Sequence, residues 1–408
     1  MLLKLVKLFK ILKNAQYLNN KNLNKKLIIF DCMSIETLKM YLLKNFDYFV
    51  ISNRPEKIKL YFSINLFVLF IKKYIKFISN KELLIQDIYF LALIEIIHPG
   101  VVLTAIDVNV QFSKLSKYTE KNIKFVTLQL TNFPLINYIT YLFGKKILKK
   151  NLNQDFYFPL YLGFGKHQKN NMEKNLIKVD KFVSVGSIKL ANFLKSNKSN
   201  IQKKNYDVCL ISDHNAYTDK FGPDKIQFDN LREIENNFIK LTKWTIKLVK
   251  EKKLKFIFVF KRIKENKKLI FEEKQYFKKN LNQVEYNFLI NNCSYNTEKN
   301  SQNSYVESFR SKISLAVTST LLTENLIAGN KILSCNFTGL DFFNFSINGI
   351  CSLKKCNYLK FKNRVIKIIK INKNKYFNML SKNKNYIASA VNPDETIDTI
   401  KKEICKYL

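Results

Sequence analysis

Ser319, Thr320 and Glu324 fall within VTSTLLTENLIAGNKILSCN, residues 317–336. The apolar run Leu315–Val317 reads as a buried parallel strand, and the Ser-Thr pair as the turn after it. Gly329 marks the stop of the helix that follows. A helix start leaves amides without carbonyl partners, and the helix dipole adds positive potential there. Hydroxyls at such a start therefore suit an anion such as a diphosphate. Glu324 lies one turn beyond Thr320 on the same face, where a carboxylate could accept from a sugar hydroxyl. Just upstream, Ser304 and Glu307 have the spacing of a capping box and predict another helix start. On local physics alone, the stretch reads equally well as an ordinary β-α-β unit whose Ser-Thr pair only caps a helix.

Other polar residues stand where apolar, strand-like runs end: Asp31, Asp107, Gln129, Ser187, Ser212, Asp213, Lys261 and Arg262. Ligands of open α/β sheets bind outside the carboxyl ends of the strands, so these are the positions at which to look for chemistry. Lys261 and Arg262 follow the strand Phe256–Phe260 and would supply positive charge to a diphosphate, unless they are simply a solvated strand end. Asp107 closes the run Val101–Ile106 and is the first candidate for a base that deprotonates an acceptor hydroxyl; a turn cap is the competing account. His167, in GFGKH, is the second candidate. His98, in the turn His98-Pro99-Gly100, reads as a solvated turn residue. No G-x-G-x-x-G follows a strand, and no P-loop, G-x-S-x-G elbow or H-E-x-x-H is present. There is no Asp-x-Asp pair either, so neither a bridging divalent metal nor a resident cofactor is expected.

The elements that must position these residues alternate. Strands are expected at Leu27–Phe30, Tyr48–Ile51, Val101–Ile106, Ile123–Leu128, Phe156–Leu162 and Phe182–Val185, with helices over Ile35–Leu43, Ile64–Ile78, Gln86–Ile97 and up to Leu194. The polar stretch KSNKSNIQKKN then interrupts the pattern. It resumes with strands at Tyr206–Ile211, Phe256–Phe260 and Tyr286–Ile290, and a long helix at Phe228–Val249 that carries Trp244. This predicts an α/β chain of two Rossmann-like units with mainly parallel sheets: residues 1–195, a linker at 196–205, and residues 206–408. The closing helix, begun by Asn392-Pro393, is free to pack back on the first unit.

Lys and Arg number 70 against 32 Asp and Glu, a formal charge of +38. Nucleic acid, an anionic membrane surface and a compositional bias would each account for it. Arg stands only at 54, 232, 262, 310 and 364, while Lys, Asn, Ile, Phe and Tyr abound, the skew an AT-rich coding sequence produces. The lysines are scattered rather than gathered on one segment, so nucleic acid is not the expected partner. The seven cysteines show no CxxC spacing, which fits a reducing cytoplasm. The opening MLLKLVKLFKILKN reads as a basic amphipathic helix that rests on a membrane surface or on the protein itself, and nothing is expected to span a bilayer.

The segments VVLTAIDVNVQFSKLSK, KFVTLQLTN, VSVGSIKLANF and YDVCLIS, with VTSTLLTENLIAGNKILSCN, occur in this order between about residues 27 and 340. Together they resemble a family of surface-carbohydrate (lipopolysaccharide O-antigen) biosynthesis proteins of the GT-B glycosyltransferase type. The resemblance implies two Rossmann-like domains facing each other across a cleft. It also implies a nucleoside diphosphate sugar held mainly by the C-terminal domain, and a glycan or lipid-linked acceptor on the N-terminal side. It assigns Ser319, Thr320 and Glu324 to the donor, with Gly186, Ser187 and Ser212 lining the cleft. Family members often carry Gln-Asn-Gly where this chain has Gln129-Leu130-Thr131. A metal-independent transferase at the inner face of the plasma membrane is the function this implies. Alternatives are a nucleotide-sugar epimerase or polyol-phosphate transferase of the same fold, and a non-catalytic basic protein that binds nucleic acid or membrane.

Overall fold

The computed structural model describes residues 15–19, 23, 25–31, 35–52, 59–80, 82–106, 109–131, 156–175, 177–197, 203–214, 225–298, 301–389 and 392–408. Asp107, the opening amphipathic stretch, Ser34 and residues 198–202 of the polar interruption after Lys195 lie outside the described residues. The first half runs β1 (Leu27–Phe30), α1 (Ile35–Lys39), β2 (Tyr48–Ile51), α2 (Ile64–Phe77), α3 (Ile85–Ile97), β3 (Val101–Thr104) and α4 (Val110–Tyr118). It continues with β4 (Lys124–Leu128), β5 (Leu160–Gly163), α5 (Lys166–Lys174), β6 (Phe182–Ser184) and α6 (Ile188–Ser196). These six strands form one sheet in the order β6-β5-β4-β3-β1-β2, every pair parallel, beside two separate pairs of two-residue strands.

The second half runs β7 (Tyr206–Ile211), α7 (Lys225–Lys252), β8 (Phe256–Ile263), α8 (Lys267–Asn280), α9 (Gln283–Asn291), β9 (Cys293–Asn296) and α10 (Asn303–Phe309). It continues with β10 (Ser311–Ala316), α11 (Thr320–Ile327), β11 (Ile332–Asn336), β12 (Ser352–Lys354), α12 (Tyr358–Lys370), α13 (Lys373–Asn378) and α14 (Pro393–Cys405). Its sheet is again parallel, in the order β9-β8-β7-β10-β11-β12. That is the doubly wound order of a dinucleotide-binding domain, with the strand direction of travel reversing between β7 and β10. In the first sheet the reversal falls between β1 and β3.

Strands covered on both faces read as unbroken apolar runs, and β1 shows why. Ile28 and Phe30 face one layer, with α3 and α4; Leu27 and Ile29 face the other. Ile400 and Ile404 of α14 complete that second layer, so the end of the chain closes the core of the first sheet. The exchange runs both ways. Phe164, after β5, and Phe193, in α6, are fully buried in the core of the second half, where Phe193 stacks on Tyr305 at 4.8 Å.

Three local expectations fail for identifiable reasons. Tyr286–Ile290 is helical: Asn282 and Glu285 form a reciprocal capping box that starts α9, and the strand comes later, as β9. The Ser304–Glu307 box does not form, because α10 starts two residues earlier, with Gln302 at its cap, and the Ser304 amide donates to Asn296 Oδ1 at 2.8 Å. Lys261 and Arg262 belong to β8 itself, within the register shift between Val259 and Ile263 in its pairing with β9. If α14 completes the first core as described, Ile404→Ala will cost about 2–5 kcal/mol. A lower urea midpoint would show this, while Leu359→Ala, at a side chain 60% exposed, should leave the midpoint in place.

Candidate functional site

At the reversal point of the second sheet, β7 is followed by Ser212, Asp213 and His214, all buried. Asp213 reaches across to the end of β10, where its Oδ2 accepts from the amides of Val317 at 2.6 Å and Thr318 at 3.2 Å. Burial pushes the Asp213 carboxyl above its usual range, while Lys261 and these two amides oppose that. The ligand crevice of a doubly wound sheet lies at such a point, and here a protein carboxylate organises it.

Ser212 donates to Glu273 Oε1, and Lys261 and Arg262 lie within electrostatic reach of that same carboxylate. Burial raises the Glu273 pKa, with the Ser212 hydrogen bond opposing it. Lys261, itself exposed, thus acts on the carboxyls of both Asp213 and Glu273, and Arg262 on that of Glu273. Glu273 was not foreseen, yet it has a signature: it shares the apolar face of α8 with Ile270 and Phe277. His214 stacks on Tyr276 at 4.3 Å, with Nδ1 3.7 Å from Glu235 Oε1. Burial first, then Lys261 and Arg262, push its pKa down to about 3, so the imidazole is neutral.

Beyond β10, Ser319 occupies the cap position of α11, but its hydroxyl makes no capping bond; Thr320 is the first helical residue, half-buried like Ser319. Gly329, at φ +84°, ends the helix in the left-handed conformation that favours glycine. One turn into α11, Glu324 is 1% exposed. Its Oε1 accepts from the Ser187 hydroxyl at 2.5 Å, and its Oε2 from the Tyr305 hydroxyl at 2.7 Å. Ser187 comes from the other half, at the start of α6, where its Oγ also accepts from the Leu190 amide at 3.3 Å. Gly186 before it sits at φ +81°, which lets the chain turn out of β6 into α6. The carboxyl edges of the two sheets thus meet at one hydrogen-bonded carboxylate.

Burial raises the Glu324 pKa; Lys189, Ser187 and Tyr305 pull it back down. Tyr305 was not foreseen. Its role depends on a partner from another element, which no local spacing specifies.

His167 lies elsewhere along this junction. It opens α5, with Nε2 3.0 Å from Asn171 Nδ2 and its ring edge-on to Tyr386 at 5.5 Å. Burial, then Lys382, lowers its pKa to about 4, which leaves it neutral and weakly basic near neutral pH. Gln129, in the loop that departs from the family pattern, is fully buried. Its Oε1 accepts from the Phe164 amide at 2.8 Å and its Nε2 donates to the Thr131 carbonyl at 2.8 Å. Further along the second sheet's edge, an open hollow of about 600 Å³ is lined by Lys355, Asn357, Lys360, Arg364 and Lys367 among others, none of them part of the Ser187–Glu324 contact. Among the described residues, no group of three His, Cys, Asp or Glu is arranged to hold a metal ion.

A carboxyl whose folded pKa is raised contributes stability that is present at low pH and lost as pH rises through that folded value. Glu324→Gln removes this loss and keeps an acceptor for Ser187. Its melting temperature should therefore exceed the parent's by a margin that is closed below the ordinary glutamate pKa of about 4.3 and opens as pH rises above it. A margin independent of pH would show that Glu324 is not held in this way.

No family model matches the chain, and no curated protein matches it by sequence. Solved structures do match in shape. One is the UDP-GlcNAc 2-epimerase from Neisseria meningitidis, bound to UDP-GlcNAc: 14% identical, covering 93% of this chain and 99% of its own, with a TM-score of 0.52. Another is the wall teichoic acid polymerase TagF: 10% identical, covering 98% of this chain and 92% of its own, also at 0.52. These likenesses span both halves. The chain has an α/β fold of two Rossmann-like domains, of the GT-B kind.

Proposed function

We propose that the chain is a glycosyltransferase that moves a sugar from a nucleoside diphosphate sugar to a hydroxyl of a surface glycan or its lipid-linked precursor. The observation that carries this reading is the Ser187–Glu324 hydrogen bond, which joins two independently designated residues at the edges of both sheets. On this reading residues 1–195 form the acceptor side, 196–205 the linker, and 206–408 the donor side. The start of α11, with Ser319 and Thr320, receives the diphosphate, and Lys261 and Arg262 turn from Asp213 and Glu273 toward it. A ribose hydroxyl replaces Ser187 or Tyr305 as a donor to Glu324, exchanging one hydrogen bond for another at little net cost. Ser212 holds Glu273 in place behind these cations. No metal is needed if the helix start and the two cations carry the charge of the leaving diphosphate.

Asp107 is the base proposed for the acceptor hydroxyl, with His167 second because its lowered pKa makes it a weak proton acceptor. No described helix is long and apolar enough to cross a membrane, and the proposed place of work is the cytoplasmic face, at its surface. A second reading, a nucleotide-sugar epimerase, is favoured by the likeness to the Neisseria enzyme over nearly the whole chain.

Thermal unfolding with UDP, CDP, GDP and dTDP and their sugars separates these readings. One nucleotide should raise the parent's melting temperature by about 2 °C or more at saturating concentration, and Thr320→Val and Glu324→Gln should lose most of that shift. If both variants respond to every nucleotide as the parent does, the donor assignment fails. Transfer then releases a nucleoside diphosphate only when acceptor is present. An epimerase alters the sugar without acceptor, and a polyol-phosphate transferase releases a nucleoside monophosphate.

A further inference from the structure

Helix α2 is apolar on two opposite faces. Its inner face packs Leu66, Leu69, Phe70 and Phe77 into the core of the first half. Its outer face is a second stripe of Ile64, Phe67, Val68, Ile71, Ile75 and Ile78, at 78%, 64%, 47%, 38%, 67% and 66% exposure. The spacing of these residues keeps them on one side of the helix for its whole length. The patch continues before the helix to Phe62, at 53% exposure. A soluble surface seldom concentrates large apolar side chains in this way without a partner.

The charges around the stripe indicate what that partner is. From residue 59 to residue 80 the chain contains Lys59, Lys72, Lys73 and Lys76 and no acidic residue. Lys73 is drawn inward by an ion pair with Glu95 of α3, whereas Lys72 and Lys76 are exposed along the stripe. Apolar side chains flanked by lysines, with no acid between them, match a bilayer whose surface carries anionic headgroups: the side chains enter the acyl boundary and the ammonium groups rise to the phosphates. A second copy of the chain would set the same lysines against each other, in a protein whose net charge is already +38.

We infer that the outer face of α2 is a membrane-docking surface that seats the first half on an anionic bilayer. The inference stands on the α2 face and does not depend on which nucleotide the second half takes.

The test is sedimentation of the full chain with vesicles of phosphatidylglycerol and phosphatidylcholine, and with vesicles of phosphatidylcholine alone, comparing the parent with Phe67→Ser/Ile75→Ser and with Lys72→Glu/Lys76→Glu. The parent should bind the anionic vesicles, and the neutral ones about tenfold or more weakly. Each double variant should lose about tenfold or more of the anionic binding while keeping the parent's melting temperature and its nucleotide-induced shift. Either of two results overturns the inference. In the first, the parent ignores anionic vesicles, or both variants bind them as the parent does, which would move the contact to another basic apolar stretch such as residues 1–14. In the second, the parent is a dimer in solution that Phe67→Ser/Ile75→Ser converts to a monomer, which would make the face an interface between copies.

Discussion

The junction between the two halves centres on one buried carboxylate. Glu324 is enclosed by protein, and an ionised carboxyl in such a place is costly unless donors surround it. Two hydroxyls serve, one from each half of the chain: Ser187 from the end of the first sheet and Tyr305 from the helix before β10. Tyr305 is itself fixed by stacking on Phe193, which the first half inserts into the core of the second. The polar contact and the aromatic contact therefore hold the same junction. Neither would be placed correctly without the other.

The second constraint is the reversal point between β7 and β10. Two strand ends there would otherwise leave amides pointing into an empty crevice. Asp213 takes the Val317 and Thr318 amides and so sets the path of the chain into Ser319, Thr320 and α11. Lys261 acts on its carboxyl, and Lys261 and Arg262 act on that of Glu273. The crevice is thus polar and lined by side chains that already interact with one another.

Where a residue's role was set by its own strand or helix, the sequence made it readable. The strands Leu27–Phe30, Tyr48–Ile51 and Tyr206–Ile211 are found as expected, because a strand buried on both faces must be continuously apolar. Gly329 ends α11 for a reason visible in one residue, its freedom to take φ +84°. Glu273 could have been found by asking why a carboxylate sits on an apolar helical face. Tyr286–Ile290 was misread because its aromatic, branched content suits a strand, while the capping box at Asn282 and Glu285 outweighs that preference. Ser304 and Glu307 erred in the opposite direction: a spacing that caps helices elsewhere was displaced by two residues, to Gln302, and Asn296 takes the Ser304 amide.

The sequence by itself therefore determined the alternation of strands and helices, the two-part organisation and helix ends such as Gly329 and Asn392, since each rests on periodicity and backbone chemistry within a dozen residues. The tertiary structure alone decided that Ser187 meets Glu324 across a separation of 137 residues, that Asp213 closes onto the end of β10, and that α14 returns to the first sheet. It also decided that one side of α2 remains exposed. A helix that is apolar on two opposite faces gives no local sign of which stripe will be buried. That choice is made by the sheet it packs on, and it falls on Leu66, Leu69 and Phe70 rather than on Phe67, Ile71 and Ile75.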